Sequence, residues 1–421
     1  MHKDISHRTA HADADSVTDT PREISPCARP WVAHGGNLGD AVKRYGFARD
    51  AWLDLSTGIN PHGYPAPPVS AQAWQRLPDD DDGLNQLAAR HYGAAHALAV
   101  AGSQAVIRAL PALLDHNLNA RRITAPVTAH MTGIATLTYG EYLPAFQRAG
   151  HRVLRYTCSE AEYAAGEMTL PREITRTQTR TQTKSQTRLQ SGSQAQTQAD
   201  FVLSAHQALP AELLHLVVVN PNNPTTTLFP REVLLDWHSQ LAARGGSLIV
   251  DEAFSDATPG YSVAPEAKQA GLIVLRSIGK FFGLAGARAG FVLAHPTCLA
   301  QLRAELGPWT LSGPARAVVR SALLDARWQQ ATQAQLSQDG ARLLQLLCRH
   351  GFEASGTPLF AWLPHRQAAA LQERLAQHAI WVRLFDSPAS LRLGLPASEA
   401  DWQRLDTALR DCADLASTSA P

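Results

Sequence analysis

The chain has 421 residues, enough for two or three domains with a sizeable core. Its 45% hydrophobic and 18% charged residues are ordinary for a soluble globular protein, and 38 basic against 37 acidic side chains leave a net charge of +1. That balance gives no electrostatic basis for nucleic acid or an anionic membrane as partner, and no apolar run approaches the roughly 18 residues of a membrane span.

Residues 1–30 are polar and punctuated by Asp, Ser, Thr and Pro. They lack the apolar centre of a signal peptide and are predicted to be a disordered tail. The five cysteines are scattered and form no C-x-x-C, which argues against a disulfide framework or zinc site and suits a reducing cytoplasm. Residues 31–70 are expected to form an N-terminal arm that joins a smaller domain. Residues 71–312 are expected to form the large domain. Within it, residues 172–200 are rich in Thr, Gln, Ser and Arg and nearly free of aliphatics. Such a stretch cannot offset its ordering entropy by burial, so it reads as a solvated, disordered insertion.

Short apolar runs predict buried strands at Leu98–Ala101, Leu216–Val219, Leu248–Val250, Leu272–Leu275 and Phe291–Ala294. Helical periodicity follows at Gln104–Leu114 and Arg231–Arg244. Alternating strands and helices give an α/β class, with a mostly parallel sheet covered on both faces. From 313 to 421 the pattern changes. Long helical stretches at Gly313–His350, Arg366–His378 and Glu399–Leu415 flank strand-like runs at Leu359–Leu363, Ile380–Leu384 and Leu391–Leu395, which predicts a smaller α+β domain.

Five signals lie at the ends of these strands. Lys280, one of only five lysines, follows the run Leu272–Leu275 in Ser277-Ile278-Gly279-Lys280, and Arg288 comes eight residues later. A phosphate loop of the G-x-x-x-x-G-K-[ST] type would need Ser or Thr after the lysine, where Phe281 stands. Asp251 ends Ser247-Leu248-Ile249-Val250, at the carboxyl end of a strand, where α/β sheets place ligands. Alone it suits a metal ligand, an acid or base, or a helix cap. Asn220-Pro221-Asn222-Asn223-Pro224 follows another strand and alone reads as a turn. Gly102-Ser103-Gln104 joins a strand to a helix whose free N–H groups would accept a phosphate. Tyr139 in Tyr139-Gly140-Glu141-Tyr142 offers an aromatic ring.

In order and spacing these signals resemble the fold-type I pyridoxal 5′-phosphate (PLP) enzymes, over roughly Trp31 to Leu409. The resemblance implies that Lys280 bonds the cofactor covalently and that Asp251 pairs with its protonated ring nitrogen. It gives Asn223 to the ring's phenolic oxygen and Tyr139 to stacking. Ser103, Gln104, Ser277 and Arg288 would hold the phosphate, and Arg392 in Leu391-Arg392-Leu393-Gly394 the substrate carboxylate. Each role suits its residue. A lysine in a dry site near other cations has a lowered pKa, a ring nitrogen keeps its proton beside an anion, and a carboxylate fits an arginine fork. No metal is implied. A homodimer is expected from the resemblance alone.

Further strings narrow the family. His34-Gly35-Gly36-Asn37, Leu53-Asp54-Leu55-Ser56-Thr57-Gly58-Ile59-Asn60-Pro61 and Leu77-Pro78-Asp79-Asp80-Asp81-Asp82-Gly83 are similar to the L-threonine-O-3-phosphate decarboxylase family of cobalamin biosynthesis, close to the histidinol-phosphate aminotransferases. That family makes (R)-1-aminopropan-2-ol O-phosphate from a phosphorylated amino acid. His34 and Asn37 are expected at the substrate phosphate, and Asn60 at the substrate. The acidic run Asp79–Asp82 reads as the cap of a helix beginning near Leu84 rather than a metal site.

Three positions depart from the pattern of relatives: Phe254 and Leu77 stand where tyrosine is common, and Leu137 where proline is common. The enzyme alternative is an aminotransferase for a phosphorylated amino alcohol such as histidinol phosphate, because residue types alone do not fix which bond at Cα breaks. A PLP-binding transcription regulator would need a helix-turn-helix domain, for which residues 1–30 are too short and too polar.

Overall fold

The apolar runs form the centre of an eight-stranded sheet in the computed structural model, which describes residues 35–120, 131–158, 199–205 and 207–416. The expected tail 1–30, His34 and most of the insertion 172–200 lie outside the described residues. In chain order the strands are β1 (Leu53–Asp54), β2 (Leu98–Val100), β3 (Met131–Ala135), β4 (Arg152–Cys158), β5 (Phe201–Leu203), β6 (Leu213–Val219), β7 (Ser247–Asp251), β8 (Leu272–Ser277) and β9 (Gly290–Ala294). The C-terminal third adds β10 (Ser355–Thr357), β11 (Phe360–Pro364), β12 (Ile380–Trp381), β13 (Arg383–Asp386) and β14 (Ala389–Gly394).

The large sheet has the order β2-β9-β8-β7-β6-β3-β4-β5. Only β9 runs against its neighbours, pairing antiparallel with both β2 and β8. Strand periodicity sorts the core into two layers. Val217, Val219, Ile249, Ile273, Leu275 and Val292 face the helices Ser103–Ala120, Tyr142–Arg148 and Pro296–Leu306. Their neighbours Leu216, Val218, Leu248, Val250, Val274 and Phe291 face the other way, toward the helix Arg231–Ala242 among others. With both faces covered, these strands read as unbroken apolar runs.

A four-stranded antiparallel sheet, β10-β11-β14-β13, occupies the C-terminal third. A separate parallel pair, β1 with β12, ties the N-terminal segment to that third through Leu53 opposite Ile380. The predicted stretch Gly313–His350 is two helices, Gly313–Leu324 and Ala326–Arg349. Asp325 breaks it: its backbone leaves the helical region and its side chain accepts from Trp328 N. The stretch Glu399–Leu415 begins with a capping box, Ser398 with Asp401, and its first helix stops at Arg410. The N-cap of the helix Leu84–His91 is Gly83, and Asp82 just before it accepts from Leu84 N and pairs with Arg316, binding the helix start to another helix.

Candidate active site

β2, β6, β7 and β8 run in the same direction, so their carboxyl ends share one edge of the sheet. A cavity opens there. It is lined by Gly102, Ser103, Gln104, Tyr139, Asn223, Asp251, Ser277, Lys280 and Arg288, together with apolar residues that include Phe254. All eight residues expected at the cofactor therefore face one space. Its volume is about 670 Å³ out to the mouth, an ordinary size for a small-molecule site.

One end of the cavity is built to hold an anion. β2 passes through Gly102, in the left-handed region at φ 75°, into the helix that begins at Ser103. The first N–H groups of that helix have no partner within it and carry its positive dipole end. A Cβ on Gly102 would come within 3.4 Å of Arg288 Nη2, so the glycine lets the guanidinium close over this corner. Arg288 itself has φ 50°. A left-handed residue other than glycine costs about 1–3 kcal/mol, the kind of strain a site retains to aim a group. Ser277 ends β8 beside it.

At the other end stand the amine and the carboxylate. Burial and the Arg392 charge lower Lys280 to about 8, with Asp251 opposing the shift. Burial raises Asp251 above its usual range, while Tyr142, the Ala253 N–H and Lys280 pull it back. Lys280 Nζ also lies 5.4 Å from the centroid of the Phe254 ring. Asn222 accepts from Thr138 Oγ1 and donates to Leu137 O, which ties the segment before Tyr139 to the turn carrying Asn223. Tyr139 donates to Gln104, and Gln104 to Glu141.

Arg392 comes from β14 in the small sheet. It is buried, and burial together with Arg383 lowers it to about 10, still charged at neutral pH. Its Nη1 donates to Asn223 Oδ1 and its Nη2 to Ser56 O, both at 2.5 Å. Its Nε has no hydrogen-bond partner, and the nearby Asp54 charge only partly offsets the lowering. A buried guanidinium so placed calls for an anionic ligand. The guanidinium carbon lies 5.6 Å from the Phe360 ring centroid, and Phe360 packs edge-on against Phe254 at 5.0 Å. Gly35 fits beneath, since a Cβ there would lie 2.2 Å from Ser56 O and 3.2 Å from Arg392 Nη2. The His-Gly-Gly-Asn string thus reaches the arginine through a glycine.

Two expected substrate residues are not among the side chains that line the cavity. Asn37 is exposed, away from the cavity, with its amide bonded to Asp40. Asn60 is buried, but its amide is committed to Phe281 O and His62 N, and its own N–H bonds Lys280 O. It braces the loop that carries Lys280. His34 lies outside the described residues. Two other residues were not singled out from the sequence. Tyr142 reaches Asp251 from beneath the cavity. Arg383 is the cross-strand partner of Arg392, so both side chains leave the same face of the small sheet. A pairing register has no signature in local sequence.

Residues 77–409 match the family described as aminotransferase class I and II. The chain is 42% identical to a threonine-phosphate decarboxylase of Pseudomonas aeruginosa, over 90% of this chain and 97% of that relative. It is 36% identical to a threonine-phosphate decarboxylase of Sinorhizobium sp, over 90% and 97% respectively. The chain belongs to the class I and II aminotransferase family, among the threonine-phosphate decarboxylases. Its fold is similar to a solved histidinol-phosphate aminotransferase of Sinorhizobium meliloti in complex with pyridoxal 5′-phosphate, with a TM-score of 0.65, 16% identity, and coverage of 94% of this chain and 99% of that one. At that identity the likeness speaks for the fold alone. Among the described residues no helix is long and apolar enough to cross a membrane.

Proposed function

We propose that this protein is a PLP-dependent carboxy-lyase that converts L-threonine O-3-phosphate to (R)-1-aminopropan-2-ol O-phosphate and CO2, supplying the aminopropanol linker of cobalamin in the cytoplasm. One observation carries the reading: a lysine lowered to about 8 and a buried carboxylate line one cavity, and a buried arginine reaches that lining through its hydrogen bond to Asn223. The 42% identity to a threonine-phosphate decarboxylase over nearly its whole length selects this reaction over transamination.

The residues fit the cofactor. Ser103, Gln104, Ser277 and Arg288 form the anion corner, Asn223 and Asp251 offer a neutral and a negative partner to a heterocycle, and Tyr139 lines the same space. When bound, PLP withdraws the electron pair left at Cα as the carboxylate departs. The chain's own groups do the rest. Lys280, partly neutral near pH 7, supplies the amine and afterwards a proton for Cα. Asp251 stays anionic to hold the ring nitrogen's proton. Arg392 takes the substrate carboxylate with its fork, and Arg383 adds a second cation for the phosphate. Phe254 beneath Lys280 and Phe360 beneath Arg392 pack edge-on and would keep water from that face.

The protein works as a homodimer in this reading. Trp74, Leu77 and Trp309 are 71%, 68% and 52% exposed, on segments that touch through Gly313 against Ala73 and through Trp309 N to Asp80. A second copy would cover them.

The test is to incubate the PLP-loaded protein with O-phospho-L-threonine, with and without 2-oxoglutarate, and to identify the products by mass. Aminopropanol phosphate formed without the oxo acid is the expected result. Glutamate formed only with the oxo acid would make the protein an aminotransferase.

A further inference from the structure

Tyr142 begins the helix Tyr142–Arg148 and is wholly buried in the layer that Ile249 faces. Asp251, two residues further along β7, projects to that same layer. The two side chains therefore meet: Tyr142 Oη donates to Asp251 Oδ2 at 2.8 Å. The other carboxylate oxygen, Oδ1, accepts from Ala253 N at 3.1 Å. Tyr142 also meets Tyr139 edge-on, with ring centroids 6.4 Å apart and planes at 81°. Tyr139 lines the cavity and Tyr142 does not. The phenol thus stands one layer behind the site and touches two of its members.

The hydroxyl is the only feature that separates this residue from a phenylalanine, and packing alone would not require it. A phenol donating to a carboxylate favours the ionised acid, and burial of both groups strengthens the bond. The Ala253 N–H and Lys280 also favour the Asp251 anion, but the charge on Lys280 changes whenever its amine reacts or moves a proton. Burial and the neighbouring carboxylate push the Tyr142 phenol well above its usual pKa, so it remains a donor throughout. Asp251 thus has one support that varies during the reaction, Lys280, and two that do not, the Ala253 N–H on Oδ1 and the Tyr142 hydroxyl on Oδ2.

We propose that Tyr142 is a positioning residue that keeps the Asp251 carboxylate ionised and in a single orientation, independently of the charge on Lys280, so that it retains the proton-bearing ring nitrogen of the cofactor. This rests on the PLP reading above. It goes beyond that reading in assigning a role to a residue that touches neither cofactor nor substrate.

The test is equilibrium binding to the apoprotein, read by tryptophan fluorescence, with two probes. One is pyridoxal 5′-phosphate; the other is its 1-deaza analogue, which carries C–H in place of the ring nitrogen. Tyr142→Phe should weaken pyridoxal 5′-phosphate binding roughly ten- to a hundredfold, the range for a lost hydrogen bond to a charged group. It should leave the analogue bound as tightly as before or more tightly. The acid limb of pyridoxal 5′-phosphate binding should also move up by about one pH unit, because Asp251 then protonates more readily. Equal weakening of both probes, or of neither, overturns the proposal. If the phenylalanine variant does not fold, Tyr142→3-fluorotyrosine replaces it. The stronger donor should move the acid limb down, and an unmoved limb overturns the proposal equally well. Unmutated protein that binds neither probe would sink the cofactor reading itself, an outcome separable from the behaviour of the variants.

Discussion

The two sheets contribute to the site in different ways. The eight-stranded sheet presents the ends of its strands: Gly102 and Ser103 after β2, Asn223 after β6, Asp251 closing β7, Ser277 and Lys280 at and after β8. The four-stranded sheet presents side chains from within its strands: Phe360 from β11, Arg383 from β13 and Arg392 from β14. Groups on turns at strand ends are held by backbone geometry and, in the proposed function, act on the cofactor. Groups on strand faces are held by register and, in the same proposal, act on the substrate. Changing the first should abolish the chemistry, whereas changing the second should change which substrate is accepted.

The largest loss is expected at Lys280. Lys280→Ala should lower CO2 release by at least about 10⁴-fold and remove the visible absorbance of the bound cofactor. Retained absorbance at full intensity would mean that another amine carries the bond. Arg392→Ala comes next, with an expected loss in kcat/KM of roughly 30- to 1,000-fold, the cost of truncating one member of a buried charge contact. Cofactor affinity should stay within about threefold, and a large drop would merge the two classes. Arg383→Ala sharpens the division further. It should raise KM for O-phospho-L-threonine about tenfold and leave binding of unphosphorylated L-threonine unchanged. Equal effects on both would assign Arg383 a structural part.

The remaining predictions concern pH. A neutral amine is the form that attacks a carbonyl, and burial with Arg392 lowers Lys280 to about 8. Capture of PLP by apoprotein should therefore quicken about tenfold per pH unit up to about pH 8 and then level off, as followed by stopped-flow absorbance. A flat profile between pH 6 and 8 would contradict it. The smallest effect is expected at Phe254, which has no hydroxyl to offer the ring's phenolic oxygen. Phe254→Tyr should lower the pKa of the lysine–cofactor linkage by about one unit in a spectroscopic titration.

The same division governs what could be read from sequence. The buried strands from β6 to β9 announce themselves as apolar runs, and the motifs at their ends travel with them, so Lys280, Asp251 and Asn223 stand out locally. β3, β4 and β5 do not, because Met131–Ala135 and Arg152–Cys158 mix polar with apolar residues near or along the edge of the sheet. Arg383 and Arg392 are nine positions apart, and only the hairpin register brings them side by side. Tyr142 looks like any aromatic residue at a helix start until β7 places Asp251 above it. Asn60 and Asn37 show another limit of local sequence, since a motif string names a neighbourhood without saying which of its side chains are already engaged.

One feature of the topology bears on engineering and dynamics. Because β9 returns antiparallel to β8, Lys280 and Arg288 lie on a single hairpin connection, residues 278–289. A molecule bonded to the one and clasped by the other bridges that connection like a staple. Loading the protein should slow amide exchange across these twelve residues together, as ligand binding lowers the population of opened states. Lengthening the connection by even one residue should uncouple the bond from the clasp while leaving the sheet intact.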